Sequence, residues 1–315
     1  MSENRVVIGA RGSRLSMWQA NFVADRLREK QPLEIEIRKI KTTGDKILDS
    51  ALSKIGDKGL FVKEIEVALS RGEIDVAIHS MKDVPTQLPD DLHLAATLER
   101  DDYHDGLISA GAKLAQLPTG ATIGTSSLRR AAQLLNFRQD FRIKDVRGNV
   151  ETRVRKMREG QFDAVILSAA GLDRLGMADL ITERIPPGIS LPAVGQGVVA
   201  VEARKDDERM NRLASLINHE ETMVAVSGER SLMRELEGGC QVPIGALGRV
   251  DGAKFTMEGV VASLDGKRLL RDKIVRDSED PEKTGSELAD RLRELGADSI
   301  LEEIRRASEM TESVE

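Results

Sequence analysis

Cysteine occurs once in this chain of 315 residues, at position 240. A single thiol excludes an intramolecular disulfide framework, and no cluster of Cys and His offers the spacing of a zinc site, so no metal is expected. Nothing in the chain requires an oxidising compartment. Aromatic residues make up only 3%, which leaves little for base stacking, and the net charge of −6 argues against a general nucleic-acid surface. No apolar run approaches the roughly 20 residues that a membrane helix needs. Met1-Ser2-Glu3-Asn4-Arg5 leads straight into a short apolar strand, without the basic and apolar regions of a secretory leader. These absences point to a cytoplasmic protein without nucleic-acid or membrane partners, in which any cationic feature is local. What the chain does have is 40% hydrophobic and 32% charged residues, the composition of a soluble globular protein with cores for two or three domains.

The lone cysteine lies in Leu236-Glu237-Gly238-Gly239-Cys240-Gln241-Val242-Pro243-Ile244-Gly245. Two glycines before it and a proline after it break any helix or strand, so the thiol is expected on a loop, where it is free to act as nucleophile or anchor; the plainer reading keeps it as an inert, small packing residue.

The first part of the chain reads as strand, turn and helix in alternation. Arg5 to Gly9 forms a short strand, and Leu15, Trp18, Phe22, Val23 and Leu27 mark a helix from Leu15 to Lys30. Between them, Ala10-Arg11-Gly12-Ser13 has the character of an anion site, because the first N–H groups of a helix are unpaired; the plainer reading makes Ser13 a helix cap. Glu34 to Arg38 alternates as a strand, Lys41 to Asp57 reads as a long polar loop, and Phe61 to Leu69 as a helix closed by Gly72. Asp75 to His79 is a buried strand that delivers Ser80-Met81-Lys82-Asp83-Val84-Pro85 to its C-terminal end, where open α/β sheets place ligand chemistry.

A second anion turn, Gly124-Thr125-Ser126-Ser127-Leu128-Arg129-Arg130, echoes the first, and Gly72 to Ser80 has a counterpart in Gly160 to Ser168. In each copy a helix ends at glycine, an Asp opens a strand and a Ser ends it. Two similar α/β lobes follow, with a ligand expected in a cleft between them. Asp145-Val146-Arg147 reads as a further strand ending in an arginine turn, with Arg153 on the first turn of the next helix and Arg174 near another strand end. Pro186 to Gly197 reads as a crossover that returns the chain to complete the first lobe. From about His219 a separate α+β unit is expected, with strands near Ile244 to Val250, Phe255 to Ser263 and Leu269 to Val275. Hairpin signals at Asp251-Gly252 and Leu264 to Lys267 join them, and two helices follow. The domain boundaries read as 1–99 with 198–217, 103–193 and 219–308, followed by a disordered tail over 309–315.

Arg11, Lys82, Arg129, Arg130, Arg147 and Arg153 all fall at strand ends or helix starts, which in an acidic protein calls for a polyanionic ligand bearing carboxylates or phosphates. No nucleotide fingerprint is present. Asp83, set among cations, suits the holding of a developing positive charge or the relay of a proton; its bland role is turn-making before Val84-Pro85. His79, at the end of a buried strand, reads as a hydrogen-bonded structural residue.

Together with Gly59-Leu60-Phe61-Val62-Lys63-Glu64, Arg147-Gly148-Asn149-Val150 and Leu191-Pro192-Ala193-Val194-Gly195-Gln196-Gly197, the Asp83, Arg129 and Cys240 segments resemble, in order, those of the porphobilinogen deaminase family of tetrapyrrole biosynthesis. The resemblance implies two lobes like type II periplasmic binding proteins, with a cleft between them, and a C-terminal α+β domain with a three-stranded antiparallel sheet. It implies a monomer with a dipyrromethane cofactor joined by a thioether to Cys240. Four porphobilinogen units would be added to it, each losing ammonia to give an azafulvene-like cation, before the tetrapyrrole is released as hydroxymethylbilane. Asp83 matches the family's catalytic aspartate. Lys82, Asp83, Thr125, Ser127, Arg129, Arg130 and Arg147 match cofactor-binding positions, and Arg11, Ser13, Arg147, Arg153 and Arg174 match substrate-binding ones. Lys54, Lys58 and Phe61 fall in or beside the lid loop. Arg14-Leu15-Ser16 and Thr43-Gly44-Asp45 depart slightly from the family pattern without touching the chemistry. The rivals are a non-enzymatic two-lobed anion-binding protein, which leaves Cys240 and Asp83 unexplained, and a cysteine-dependent transferase or hydrolase, in which Cys240 would turn over.

Overall fold

The computed structural model describes residues 4–46, 61–236 and 242–312. These fall into two compact units, one drawn from 4–46, 61–101 and 197–223, the other from 102–196, 224–236 and 242–312. No helix among the described residues is long and apolar enough to cross a membrane.

The first unit opens with β1 (Arg5–Arg11), α1 (Arg14–Lys30), β2 (Glu34–Ile40), α2 (Thr43–Lys46), α3 (Lys63–Ser70), β3 (Val76–Ser80) and β4 (Leu92–Thr97). The second contributes β5 (Asp105–Ser109), β6 (Thr122–Gly124), α4 (Leu128–Phe137), β7 (Arg142–Lys144), α5 (Val150–Arg158), β8 (Ala164–Ser168), α6 (Ala169–Arg174) and β9 (Glu183–Ile185). The chain then returns to the first unit as β10 (Val199–Arg204) and α7 (Glu208–Ser215), and α8 (Glu220–Glu235) follows. The second unit ends with β11 (Ile244–Asp251), β12 (Lys254–Ala262), β13 (Leu269–Asp277), α9 (Pro281–Glu294) and α10 (Ala297–Glu312).

The first sheet has the order β2-β1-β3-β10-β4, and the crossover expectation holds: β10 enters antiparallel between β3 and β4. The second sheet runs β7-β6-β8-β5-β9, with the same pattern of parallel and antiparallel neighbours. The sequence echo has a structural cause. Asp75 Oδ2 accepts a hydrogen bond from Val7 N at 2.7 Å, and Asp163 Oδ2 accepts from Thr122 N at the same distance. Each carboxylate locks the start of its strand to the neighbouring one. Gly72 and Gly160 adopt φ of 69° and 79°, the left-handed geometry that lets a helix stop and turn into that strand. The third sheet is the antiparallel meander β11-β12-β13, closed by hairpins in which Gly252 and Gly266 take positive φ. The fold is thus mixed α/β with an added three-stranded antiparallel sheet.

Helix α1 buries Ser16, Gln19, Ala20, Val23, Ala24 and Leu27 against the first sheet. Ala20 and Ala24 permit the close approach, so Trp18 and Phe22 move to the flank and stack on each other at 5.0 Å. Other sequence expectations need correction. Asp145 to Arg147 is loop, because pairing with β6 is satisfied one step earlier by Arg142 to Lys144. Strands β4, β5 and β9 carried no clean alternation and went unread. Helix α10 continues to Glu312, past the point where a disordered tail was expected, since no Gly or Pro after Ala297 interrupts it.

Candidate active site

The end of β3 builds the site in the first unit. Successive strand residues point to opposite faces, so Ser80 turns toward α1, where Gln19 Nε2 donates to its Oγ at 2.8 Å, and His79 turns toward α3. A single 3-10 turn, Met81–Asp83, follows. Met81 is buried, and its N–H donates to Val198 O at 2.9 Å, which pins the turn to the chain entering β10. Asp83 is thereby held exposed at the rim of a pocket of about 60 Å³, lined also by Arg11, Ser13, Ser16, Gln19, Phe61, His79 and Ser80. Lys82, on the same turn, is half-buried and does not line it.

Arg11 reaches this pocket from the end of β1, its guanidinium 4.2 Å from the centroid of the Phe61 ring. Phe61 packs on Gly44, where an added Cβ would come within 2.2 Å of the ring. Ser13 caps α1, accepting from Ser16 N at 3.2 Å. The cap and the anion-turn readings of Ser13 are compatible, because the capping oxygen leaves its hydroxyl hydrogen to donate.

In the second unit, Ser127 caps α4 by accepting from Arg130 N at 3.4 Å, and its own N–H donates to Thr125 Oγ1 at 3.2 Å. The following two arginines turn inward. Arg129 Nη1 donates to Asp105 Oδ2 at 2.8 Å and to Leu191 O at 2.6 Å, and Arg130 Nε donates to Asp105 Oδ1 at 2.8 Å. Ser190 Oγ and Gln196 Nε2 complete the shell of Asp105 at 2.8 and 3.0 Å. Burial by itself would raise the Asp105 carboxyl; the two guanidiniums outweigh that and hold it well below the usual carboxylate range. Among the described residues two cations share this one anion, which leaves one positive charge in excess at the pair. Arg147 Nη2 lies 3.8 Å from Asp145 Oδ2, Arg153 Nε donates to Gly148 O at 2.9 Å, and Arg174 ends α6.

Sequence reasoning missed Asp105 and Ser190 entirely. Gln196 lay within a recognised motif but received no role. His79 was read as structural, and its Nε2 indeed lies 3.0 Å from Glu202 Oε2. Cys240, Lys54 and Lys58 lie outside the described residues. No group of His, Cys, Asp and Glu among the described residues could hold a metal ion.

Two family profiles match the chain: "porphobilinogen deaminase, dipyromethane cofactor binding domain" over residues 6–212, and "porphobilinogen deaminase, C-terminal domain" over residues 223–294. The porphobilinogen deaminase of Geobacter sulfurreducens is 52% identical over 305 residues, which is 96% of each chain. That of Trichlorobacter lovleyi is 50% identical over 305 residues, 96% of this chain and 98% of its own. Among solved structures, the periplasmic VFT2 domain of Bordetella pertussis BvgS is a distant likeness, 14% identical with a TM-score of 0.42, over 68% of this chain and 87% of that one. Matched by family profiles over most of its length and by relatives at half identity along nearly all of it, the chain belongs to the porphobilinogen deaminase family.

Proposed function

We infer that the chain is a hydroxymethylbilane synthase, a transferase of tetrapyrrole biosynthesis. It condenses four porphobilinogen molecules, each with loss of ammonia, onto a resident dipyrromethane, and water releases the linear tetrapyrrole. The observation that carries this reading is the pocket at the end of β3, where the Asp83 carboxylate and the Arg11 guanidinium stand beside the hydroxyls of Ser13 and Ser80.

The donor set fits pyrroles that bear acetate and propionate groups: cations and hydroxyls suit the carboxylates, and a carboxylate suits the ring N–H. A pocket of about 60 Å³ takes a carboxylate or a ring edge, being roughly two waters in volume, so two linked rings draw on further residues. Lys82, Asp83, Thr125, Ser127 and Arg147 are proposed to hold the dipyrromethane, with Cys240 as its thioether anchor. Arg129 and Arg130 would add the one positive charge that Asp105 leaves uncompensated. Arg11, Ser13, Arg147, Arg153 and Arg174 are proposed to take the carboxylates of incoming porphobilinogen. When bound, the dipyrromethane supplies the nucleophilic pyrrole carbon to which the first unit is joined. Asp83 accepts from the pyrrole N–H at its Oδ atoms, opposes the positive charge that grows as ammonia leaves, and receives and returns a proton. Phe61, with Lys54 and Lys58 of the lid segment, is proposed to keep water from the reacting centre.

The chain is also read as a cytoplasmic monomer, the second part of which sedimentation equilibrium tests. The deciding experiment is the intact mass of the purified protein with peptide mapping around Cys240. An adduct of two linked pyrroles on that peptide is the expected result. An unmodified chain that gains no adduct from porphobilinogen or hydroxymethylbilane would overturn the reading in favour of an anion-binding protein.

A further inference from the structure

Beside the pocket, on the face of the first sheet that α3 covers, three titratable side chains are buried away from solvent. His79 comes from β3, Glu202 from β10 and Glu66 from α3, with exposures of 5%, 0% and 9%. The antiparallel register sets Glu202 opposite Ala77 and Ala200 opposite His79, so Glu202 and His79 are diagonal neighbours on one face, and their side chains meet at 3.0 Å. Glu202 Oε1 and Glu66 Oε1 are both buried, and no hydrogen-bond partner reaches either among the described residues.

One imidazole cannot satisfy two buried carboxylates, and an anion left in a dry site without a donor is costly. Glu202 has His79 Nε2 at 3.0 Å. Among the described residues no hydrogen-bond partner offsets a charge at Glu66 Oε1, which favours the protonated carboxyl there. Burial, and next the charge of Glu202, raise the Glu66 carboxyl from 4.5 to about 7, with His79 acting in the opposite direction. The other groups facing the cluster do not alter this. Arg204, two residues along β10 on the same face, is committed to the carbonyls of Leu69 and Ile74 and to Asp207. From β1 come Val7 and Gly9, which pack with the apolar underside of α3 and with Ile74. From β4 comes the buried hydroxyl of Thr97, and at the pocket end stand Arg11 and Asp83.

Helix α3 begins at Lys63, directly after Phe61 and Val62, both of which line the pocket, and its N-cap residue makes no side-chain cap. The seat of α3 on the sheet therefore sets where that wall stands. We propose that Glu66, His79 and Glu202 are positioning residues for the condensation. A neutral Glu66 carboxyl lets α3 sit down on the sheet without an unpaired buried anion, so that Phe61 and Val62 form the pocket wall beside Asp83. Loss of that proton above neutral pH loosens the wall. This rests on the reading of the pocket as the reaction site given above.

The test compares wild type with Glu66→Gln, a neutral side chain of the same size that cannot ionise, and Glu66→Ala, which empties the seat under α3. In Glu66→Gln the turnover at neutral pH is expected to stay within roughly threefold of wild type, and the alkaline limb of the kcat profile to move up by about one unit or more. In Glu66→Ala, kcat/KM is expected to fall by more than about tenfold at every pH. A second readout needs no turnover: in the apoprotein labelled with 13C at its glutamate side-chain carboxyls, the Glu66 signal, identified by its absence from Glu66→Gln, is expected to titrate with a midpoint near 7. Identical pH profiles for wild type and Glu66→Gln, or a Glu66 carboxyl signal constant from about pH 6 to 9, would overturn the proposal. Absence of any deaminase activity in wild type, with the Glu66 titration present, would instead overturn the assigned reaction and leave the cluster standing as the seat of α3.

Discussion

At the scale of single residues, two aspartates do opposite work. Asp83 is exposed on a turn with its backbone fixed, the arrangement of a group that must meet a ligand. Asp83→Asn keeps the size and one acceptor oxygen while removing the charge, so turnover should fall by roughly a hundredfold or more while the mass of the Cys240 peptide stays that of the loaded protein. Near-normal turnover in this variant would remove Asp83 from the mechanism. Asp105 is fully buried and answers two guanidiniums. Replacing it by Asn leaves Arg129 and Arg130 facing each other in a dry site, and should cost about 3–5 kcal/mol in urea unfolding. A loss below about 1 kcal/mol would show that the guanidiniums find other partners. The sequence made Asp83 visible through its strand-end motif. Asp105 was hidden, because Asp101-Asp102-Tyr103-His104-Asp105 has no periodicity to mark the last acid as the buried one.

Among elements, α4 shows how a functional turn is held. Its N-terminus carries Ser127, Arg129 and Arg130, and its C-terminal half rests on the hairpin between β12 and β13. Asn136 Nδ2 donates to Gly266 O at 2.8 Å, and a Cβ on Gly266 would stand 2.6 Å from Asn136 N and 2.7 Å from Ala132 O. Gly266 also has φ of 69°. Gly266→Ala should therefore destabilise by about 2 kcal/mol or more through both strain and clash. The check is chemical denaturation against Gly252→Ala, which has positive φ but open space around it and should cost less. The hairpin was legible from Asp265-Gly266. The need for glycine there on account of α4 was not, since the two elements are 130 positions apart at the Asn136 contact.

For the whole molecule, the two buried acids tilt stability in opposite directions with pH. The folded carboxyl of Asp105 lies below its unfolded value, so its contribution is present above an ordinary Asp pKa of about 3.9 and is lost as pH falls below it. Glu66 is raised from 4.5 to about 7, so the stability gained by keeping its proton is full below 4.5 and is lost as pH rises to about 7. Stability should peak near about pH 5, with a lower urea midpoint at about pH 3 and again at about pH 8. In Glu66→Gln the decline between about pH 5 and 8 should flatten. A wild-type midpoint that climbed throughout that interval would contradict the role given to Glu66.

What the sequence determined by itself was whatever local rules encode. Glycine at positive φ ended helices at Gly72 and Gly160, Ser13 and Ser127 capped them, alternation marked β2, and the ordered motifs around Asp83, Arg129 and Cys240 placed the chain in its family. Tertiary structure alone decided the partners of buried charge. Asp105 meets Gln196 across 91 positions and His79 meets Glu202 across 123, because β10 slots between β3 and β4 in one register and the crossover before it brings Gln196 under β5. A buried ion takes whichever counter-charge the packed sheet leaves within reach, and no short window of sequence records which one that is.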